Sequence, residues 1–277
     1  LVGLVSDPVP EQSLFDPDRR QAELVRGRQV VRQYNCQGCH MIEGEGADIW
    51  PVIAQDKWKP PDLLGQGRKT NPEWLFKFMK DPVFIEIKGE KGTDRIRPWH
   101  SIRMPSFGLT DEESRAVVRY FSALSRVPSD FESTAPDGLV DDESAVGYPK
   151  RLKIVDPKDK TREISVTVNN RLEEADAIFQ QYQCKSCHSS DESIPIGNRA
   201  PNFRLTRGGR LREAWIETWL WNPAKLQAGT AMPAFFITQR AGQTVPKAQD
   251  EQFFGGVADI QIQALRDYIR HHYTEED

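Results

Sequence analysis

The chain has 277 residues, of which 38% are hydrophobic and 28% charged, and its 41 acidic and 37 basic residues give a formal net charge of −4. This balance argues against a nucleic-acid-binding protein, because such proteins normally carry an excess of basic residues. A mean hydropathy of −0.61 and the lack of a long apolar run predict that no transmembrane helix lies in these residues.

The first predicted helix follows an N-terminal extension of residues 1–15. An aspartate followed by a proline is a frequent helix start, which places the N-cap at Asp16. Gly27, Val31 and Tyr34 recur at i, i+4 and i+7, the spacing of one face of a helix. The pattern therefore predicts a helix with one buried face.

Cys36, Cys39 and His40 form the sequence Cys-x-x-Cys-His directly after this helix. A polar turn and an aromatic-rich helix are predicted in residues 60–82, and an Asp-Pro pair predicts where that helix ends. The sequence TDEE at residues 110–113 has the threonine and glutamate of a capping box. It predicts the start of a last helix.

These elements predict a helical domain over residues 16–127, followed by a polar linker over residues 128–169. Apolar residues alternate on both sides of the turn sequence DPKDK in the linker, which predicts a small β-hairpin. The alternating residues are Leu152, Ile154, Ile164, Val166 and Val168.

Residues 170–277 repeat the first domain. Ala175, Phe179 and Tyr182 stand before a second Cys-x-x-Cys-His at the same distances as the helical residues of the first domain. An aromatic-rich helix and a terminal helix are again predicted behind the motif. Segment 83–103 of the first domain has no counterpart in the second. The pattern predicts a mainly α protein of two tandem domains.

The two motifs contain all four cysteines of the chain, so no thiol remains for a disulfide framework. Cys-x-x-Cys-His supplies two sulfurs for thioether bonds to a haem and a histidine for its iron. Two copies therefore predict two covalently bound haem c groups. The predicted attachment residues are Cys36, Cys39, Cys184 and Cys187, and the predicted iron ligands are His40 and His188.

Two other interpretations of the cysteine pairs stay open at this point. A zinc ion shared by the two pairs is the second interpretation. A redox-active dithiol is the third, although it needs a βαβ setting that neither flank shows. Neither explains why a histidine follows both pairs and a Met-Pro dipeptide follows in both domains.

The order helix, Cys-x-x-Cys-His, aromatic helix, Met-Pro and terminal helix resembles class I cytochromes c, and both halves show it. The tandem is similar to dihaem c-type subunits of respiratory complexes. The stretch from WLFKFMKDP to RMPSFGLTDEE is similar to the monohaem cytochrome subunit of nitric oxide reductases. The resemblance implies a small helical fold around each haem, with a histidine on one side of the iron and a methionine on the other.

Met104 and Met232 are the predicted second ligands of the two irons, because each precedes a proline and lies shortly before the terminal helix of its domain. A thioether is a soft ligand that suits ferrous iron. His100 is the alternative in the first domain. Met79 stands among aromatic residues and is predicted to be a core residue. Four tryptophans are candidates for packing on a haem or between helices: Trp74, Trp215, Trp219 and Trp221.

These features predict a protein that transfers single electrons and has no catalytic residue of its own. The expected partners are redox proteins, above all a membrane-bound respiratory complex. A dihaem peroxidase with one accessible iron is the alternative, and a purely structural haem module is a third hypothesis. In the families it resembles, haem c is attached outside the cytoplasm, so a periplasmic or extracytoplasmic location is expected. The sequence LVGLV at residues 1–5 is interpreted as a loose end, with a lost membrane anchor as the alternative.

Overall fold

A computed structural model describes most of the chain, which divides into two compact units. Unit 1 comprises Leu1–Ala135 with Gly208–Arg212, and unit 2 comprises Pro136–Arg207 with Glu213–Asp277. The described residues are 19–54, 58–82, 86–87, 90–91, 104–127, 151–155, 161–167, 171–188, 200–201, 203, 209–227, 229–240, 243–247, 249 and 251–272.

Unit 1 is mainly helical. Its described α-helices are α1 (Arg19–Gln33), α2 (Gln66–Lys69), α3 (Pro72–Lys80) and α4 (Asp111–Ser125). Two short antiparallel pairs accompany them: β1 (Met41–Ile42) with β2 (Glu45–Gly46), and β3 (Glu86–Ile87) with β4 (Glu90–Lys91). The short helix α2 was not predicted from the sequence. The predicted N-cap Asp16 lies outside the described residues.

The core of unit 1 forms where α1 packs on α4. Gly27 lies so close to Tyr120 that an added Cβ would stand 2.0 Å from the tyrosine Cβ. Val31 is 2% exposed, so the helical spacing correctly predicted the buried face of α1, and Val117 on α4 is also 2% exposed. Each fully buried side chain of this size contributes about 1.5–3 kcal/mol.

The predicted capping box opens α4. The Glu113 N–H donates to the Thr110 hydroxyl at 3.2 Å, and the Thr110 N–H donates to the Glu113 carboxylate at 2.9 Å. Two otherwise unpaired backbone donors are thereby satisfied. The predicted proline stop is also confirmed, because α3 ends at Lys80, two residues before Pro82.

A short stretch late in the sequence also belongs to unit 1. Leu211 forms an antiparallel bridge with Thr70, and the Asn71 N–H donates to the Arg210 carbonyl at 3.0 Å. The Arg210 guanidinium lies over the Trp74 ring at 5.5 Å. These contacts attach Arg210 and Leu211 to the N-terminal end of α3.

Unit 2 contains a second helical core and two hairpins. Its described α-helices are α5 (Arg171–Gln181), α6 (Glu213–Trp221), α7 (Pro223–Leu226) and α8 (Ala258–Asp267), which continues as a π-helical turn over Tyr268–His272. Its antiparallel pairs are β5 (Arg151–Val155) with β6 (Glu163–Thr167), and β7 (Ile237–Arg240) with β8 (Gln243–Pro246).

The β5–β6 pair is the hairpin predicted in the linker. Its register sets Leu152 opposite Val166 and Ile154 opposite Ile164, as the alternation required. The turn sequence DPKDK lies outside the described residues. The β7–β8 hairpin was not predicted, and Pro223 opens the short helix α7 instead of only ending α6.

The helical spacing also predicted the core of unit 2. Ala175 and Phe179 on α5 are fully buried, and Ile262, Leu265 and Ile269 are 2–3% exposed on the terminal helix. The prediction of a mainly α protein is therefore confirmed for the described residues. No helix among them is both long enough and apolar enough to span a bilayer.

Candidate functional site

Each Cys-x-x-Cys-His begins at a reversal of the backbone directly behind a helix. Asn35 has φ 50° and ψ 42°, and Gln183 has φ 52° and ψ 40°, both in the left-handed region. A residue other than glycine loses about 1–2 kcal/mol of stability in this conformation, although asparagine tolerates it better than glutamine does. The reversal ends α1 and α5 and starts a 3₁₀ turn that carries the cysteines.

The 3₁₀ turn brings the histidine back to the first cysteine of each motif. The His40 N–H donates to the Cys36 carbonyl at 2.9 Å, and the His188 N–H donates to the Cys184 carbonyl at 3.0 Å. The backbone of each motif therefore closes into one turn that carries both cysteines and the histidine. This is the local arrangement that a group bonded to all three residues requires.

A backbone carbonyl orients each imidazole. Nδ1 of His40 lies 2.8 Å from the Pro61 carbonyl oxygen, and Nδ1 of His188 lies 2.7 Å from that of Pro201. A carbonyl oxygen only accepts, so Nδ1 carries the proton and donates it. The lone pair of Nε2 is then free to bind a metal, and the hydrogen bond increases the basicity of that nitrogen.

Burial keeps both imidazoles neutral. It lowers the pKa of His40 and that of His188, while the hydrogen bonds to Pro61 and Pro201 act in the opposite direction. A neutral imidazole is the form that binds a metal. The surroundings of both histidines therefore favour the protonation state and the tautomer that bind a metal.

The first cysteine of each motif lies in surroundings that suit an uncharged sulfur. Burial raises the pKa of the Cys36 thiol, and it raises the pKa of Cys184 to about 12. A reactive dithiol needs a lowered pKa, so this shift argues against the redox interpretation. A thioether sulfur carries no charge and is stable in the same place.

Met104 lies at the edge of the core of unit 1. It is half-buried and packs against the hydrophobic core cluster of unit 1, which Cys36 also contacts. Met79 is 6% exposed inside that cluster, so its predicted core role is confirmed. The alternative ligand His100 lies outside the described residues.

Met232 is half-buried in unit 2 and makes a specific contact. The indole N–H of Trp219 donates to its Sδ at a distance of 2.7 Å. Trp219 belongs to α6, so this contact ties the methionine loop to the aromatic helix. His188 stacks on Phe203, with ring centroids 4.2 Å apart and planes 11° apart.

The described part of the chain lacks the ligands of a structural zinc site. No three His, Cys, Asp or Glu side chains gather there as a metal-binding group. A structural zinc site needs four such ligands in a tetrahedron. The predicted donor pair of a histidine and a methionine in each unit would suit haem iron instead.

The residues around the first motif fit a haem. The indole nitrogen of Trp50 is buried and has no hydrogen-bond acceptor, which costs about 1–3 kcal/mol. The carboxylates of a haem are acceptors that would satisfy it. Val52 and Leu64, in the same loop region, are 80% and 66% exposed and offer apolar surface. The sequence did not single out Trp50, because nothing in its neighbourhood distinguishes it from the other tryptophans.

Comparison with known proteins found a family model that matches part of the chain. Residues 24–125 match the family model of cytochrome c. The matched stretch contains the first motif, Met104 and all of α4. This match supports a c-type cytochrome, implies covalently bound haem c and suggests electron transfer. Neither the curated proteins nor the solved structures contain a match.

Proposed function

We propose that the chain is a dihaem c-type cytochrome that carries single electrons. One haem is bound in unit 1 and the second in unit 2, each with a histidine and a methionine on its iron. The proposed attachment residues are Cys36, Cys39, Cys184 and Cys187, and the proposed iron ligands are His40, Met104, His188 and Met232.

The observation that carries the proposal is the hydrogen bond from each imidazole to a proline carbonyl. It joins His40 to a residue 21 positions later and His188 to a residue 13 positions later. The same two atoms thus meet through loops of different length. The matched contact supports a common demand on the imidazole ring in both units.

The residues of each unit suit electron transfer. A bound haem supplies an iron that changes its charge by one electron, and the protein sets how easily it does so. An imidazole and a thioether bound to one iron would leave little room for a substrate and little to rearrange on reduction. The peroxidase alternative needs an iron that opens, and a methionine available in each unit does not favour it.

The proposed setting is the periplasmic or another extracytoplasmic face of a membrane. It rests on the expected site of haem c attachment and on the similarity to subunits of respiratory complexes. Segment 83–103 and the β5–β6 hairpin are additions to the helical units that would serve as docking surfaces for redox partners. Fractionation of native cells, followed by identification of copurifying proteins, tests this part of the proposal.

A haem count tests the central claim. The reduced pyridine complex of the wild type should report two c-type haems per chain, and acidified acetone should extract neither. The Cys184→Ala/Cys187→Ala variant and its matched counterpart Cys36→Ala/Cys39→Ala should each retain one. A wild-type count of one that the unit 2 variant leaves unchanged would show that unit 2 binds no haem.

A further inference from the structure

A tyrosine directly before each cysteine motif contacts the methionine loop, which is residues 104–110 in unit 1 and residues 232–236 in unit 2. In unit 1 the ring of Tyr34 meets that of Phe107 edge to face, with centroids 6.1 Å apart and planes 72° apart. Phe107 is the third residue behind Met104, and all three side chains pack against the core of unit 1. A direct contact thus joins the cysteine motif to a loop that lies far from it in the sequence.

Unit 2 repeats this contact with a different geometry. The ring of Tyr182 stacks on that of Phe235, with centroids 4.4 Å apart and planes 17° apart, and it meets Phe236 edge to face at 5.8 Å. Phe235 is the third residue behind Met232, the same spacing as in unit 1. Stacked and edge-to-face contacts both stabilise aromatic pairs. The contact is therefore made in both units by residues at the same places relative to the cysteine and the methionine.

The hydroxyl of each tyrosine gives the ring a second anchor. Tyr34 donates to the Glu113 carboxylate, whose two oxygens both lie 3.1 Å from the hydroxyl oxygen. Tyr182 donates to the side-chain carbonyl of Gln249 at 2.7 Å. Glu113 belongs to the capping box of α4, and Gln249 follows β8, so both stand behind the methionine loop in the chain. Each tyrosine is thereby bound to the loop through its ring and to the chain behind the loop through its hydroxyl.

We propose that Tyr34 and Tyr182 are positioning residues that keep the methionine loop of their unit closed. A loop opens by local unfolding, which breaks the contacts that hold it and leaves the rest of the unit folded. Because opening costs the aromatic contact and the hydrogen bond, both lower the population of the open loop. This inference rests on the proposed function, because it takes Met104 and Met232 as the ligands that the loops hold.

Imidazole binding to the ferric protein measures loop opening, because added imidazole reaches the iron only while the methionine has left it. Well below saturation, the rate is proportional to the population of the open loop. Tyr182→Leu should accelerate binding to one of the two haems by about tenfold, and Tyr34→Leu should accelerate binding to the other by a similar factor. Tyr182→Phe keeps the ring and loses only the hydroxyl, so its effect should be smaller.

Two further variants separate the contact from general stability. Phe235→Leu removes the same aromatic pair from the loop side and should accelerate binding to the same haem as Tyr182→Leu. Ala175→Gly is the matched control, because it destabilises α5 about two helical turns before Tyr182 and leaves the pair in place. It should leave imidazole binding to both haems unchanged. An acceleration by Ala175→Gly equal to that by Tyr182→Leu would show that lost stability is the cause, which overturns the inference.

A measurement on the chain itself distinguishes this inference from the proposed function. The Lys247 N–H donates to the Phe236 carbonyl at 2.9 Å, so its amide exchange reports the closed loop. In Tyr182→Leu that amide should exchange about tenfold faster while urea unfolding shows that unit 2 is still folded. Unchanged imidazole binding in a folded variant overturns the inference, with or without faster exchange. A wild type that lacks the ferric sulfur-to-iron band would instead refute the methionine ligands, and with them the ligand set of the proposed function.

Discussion

Units 1 and 2 anchor the same tyrosine in different ways. Tyr120 and Tyr268 stand on the terminal helices at the same distance behind the first cysteine of their motifs. Tyr120 donates to Glu43 at 2.8 Å, and Arg28 on α1 also binds that carboxylate. Tyr268 donates directly to Asp176 on α5 at 2.6 Å.

The two arrangements differ because one position of the first helix carries a positive charge in unit 1 and a negative charge in unit 2. Arg28 and Asp176 hold the same place relative to their motifs, with opposite charge. Where the helix carries a cation, a third residue supplies the carboxylate that the tyrosine needs. Where it carries a carboxylate, no third residue is needed. Both solutions tie the first helix of a unit to its last, because a buried hydroxyl must find a partner.

The methionine loops differ in a second way. Unit 1 has its additional chain before Met104, in segment 83–103, whereas unit 2 has its additional chain after Met232, in the β7–β8 hairpin. The terminal helices nevertheless begin at similar distances behind the two motifs. The comparison shows that additional residues are tolerated before or after the methionine when the terminal helix still packs on the first helix.

The largest effect is expected where α1 meets α4. Gly27→Ala should destabilise unit 1 by about 3 kcal/mol, because the new Cβ overlaps the Tyr120 Cβ, which cannot move without the helix. Ala175 holds the matched position in unit 2, and Ala175→Gly should cost only about 1–2 kcal/mol. Urea unfolding, with amide exchange of α1 and α5 to assign the unit, measures both. Equal costs would contradict the close helix approach in unit 1.

The tyrosine anchors should differ by a smaller amount. Tyr268→Phe should cost about 2 kcal/mol, since it removes the hydroxyl donor to a charged carboxylate. Tyr120→Phe should cost about 1 kcal/mol, because Arg28 still binds Glu43. The same unfolding measurement compares them. A larger cost for Tyr120→Phe would show that Arg28 does not compensate.

The helix starts give a third comparison. Thr110→Ala should cost about 1 kcal/mol because α4 loses its N-cap, whereas Thr110→Ser should retain it. Val257, the N-cap position of α8, makes no side-chain cap. Val257→Ser should therefore stabilise unit 2 by about 0.5–1 kcal/mol. Thermal unfolding measures these changes, and a destabilised Val257→Ser would show that the valine is needed for packing.

The smallest effect is expected in acid. The hydrogen bond from Arg28 lowers the pKa of the Glu43 carboxyl below its ordinary value of 4.5. The stabilisation is complete above the unfolded-state pKa and is lost as the pH falls through the lower folded-state pKa. Glu43→Gln should flatten the decline of unit 1 stability below about pH 4.5, with Glu45→Gln as an exposed control. The effect is small because Glu43 is partly exposed and solvent screens it. An unchanged acid profile would show that the ion pair adds no pH dependence.

Local patterns predicted much of both units. The helical spacing predicted the buried faces around Val31 and Phe179, and alternation predicted the β5–β6 pair. The capping box predicted the start of α4. Each pattern depends on residues a few positions apart, whose geometry the backbone itself determines. The β7–β8 hairpin was missed because its residues are mostly polar and do not alternate.

The sequence by itself determined which residues are the candidates for the chemistry, namely those of the two Cys-x-x-Cys-His motifs. The tertiary structure decided how they are oriented. The carbonyls of Pro61 and Pro201 meet the imidazoles only because loops of unequal length return to the same place. Trp219 meets Met232 for the same reason. Such contacts depend on the path of the whole loop, since a hydrogen bond requires atoms within about 3 Å and sequence spacing does not fix that distance.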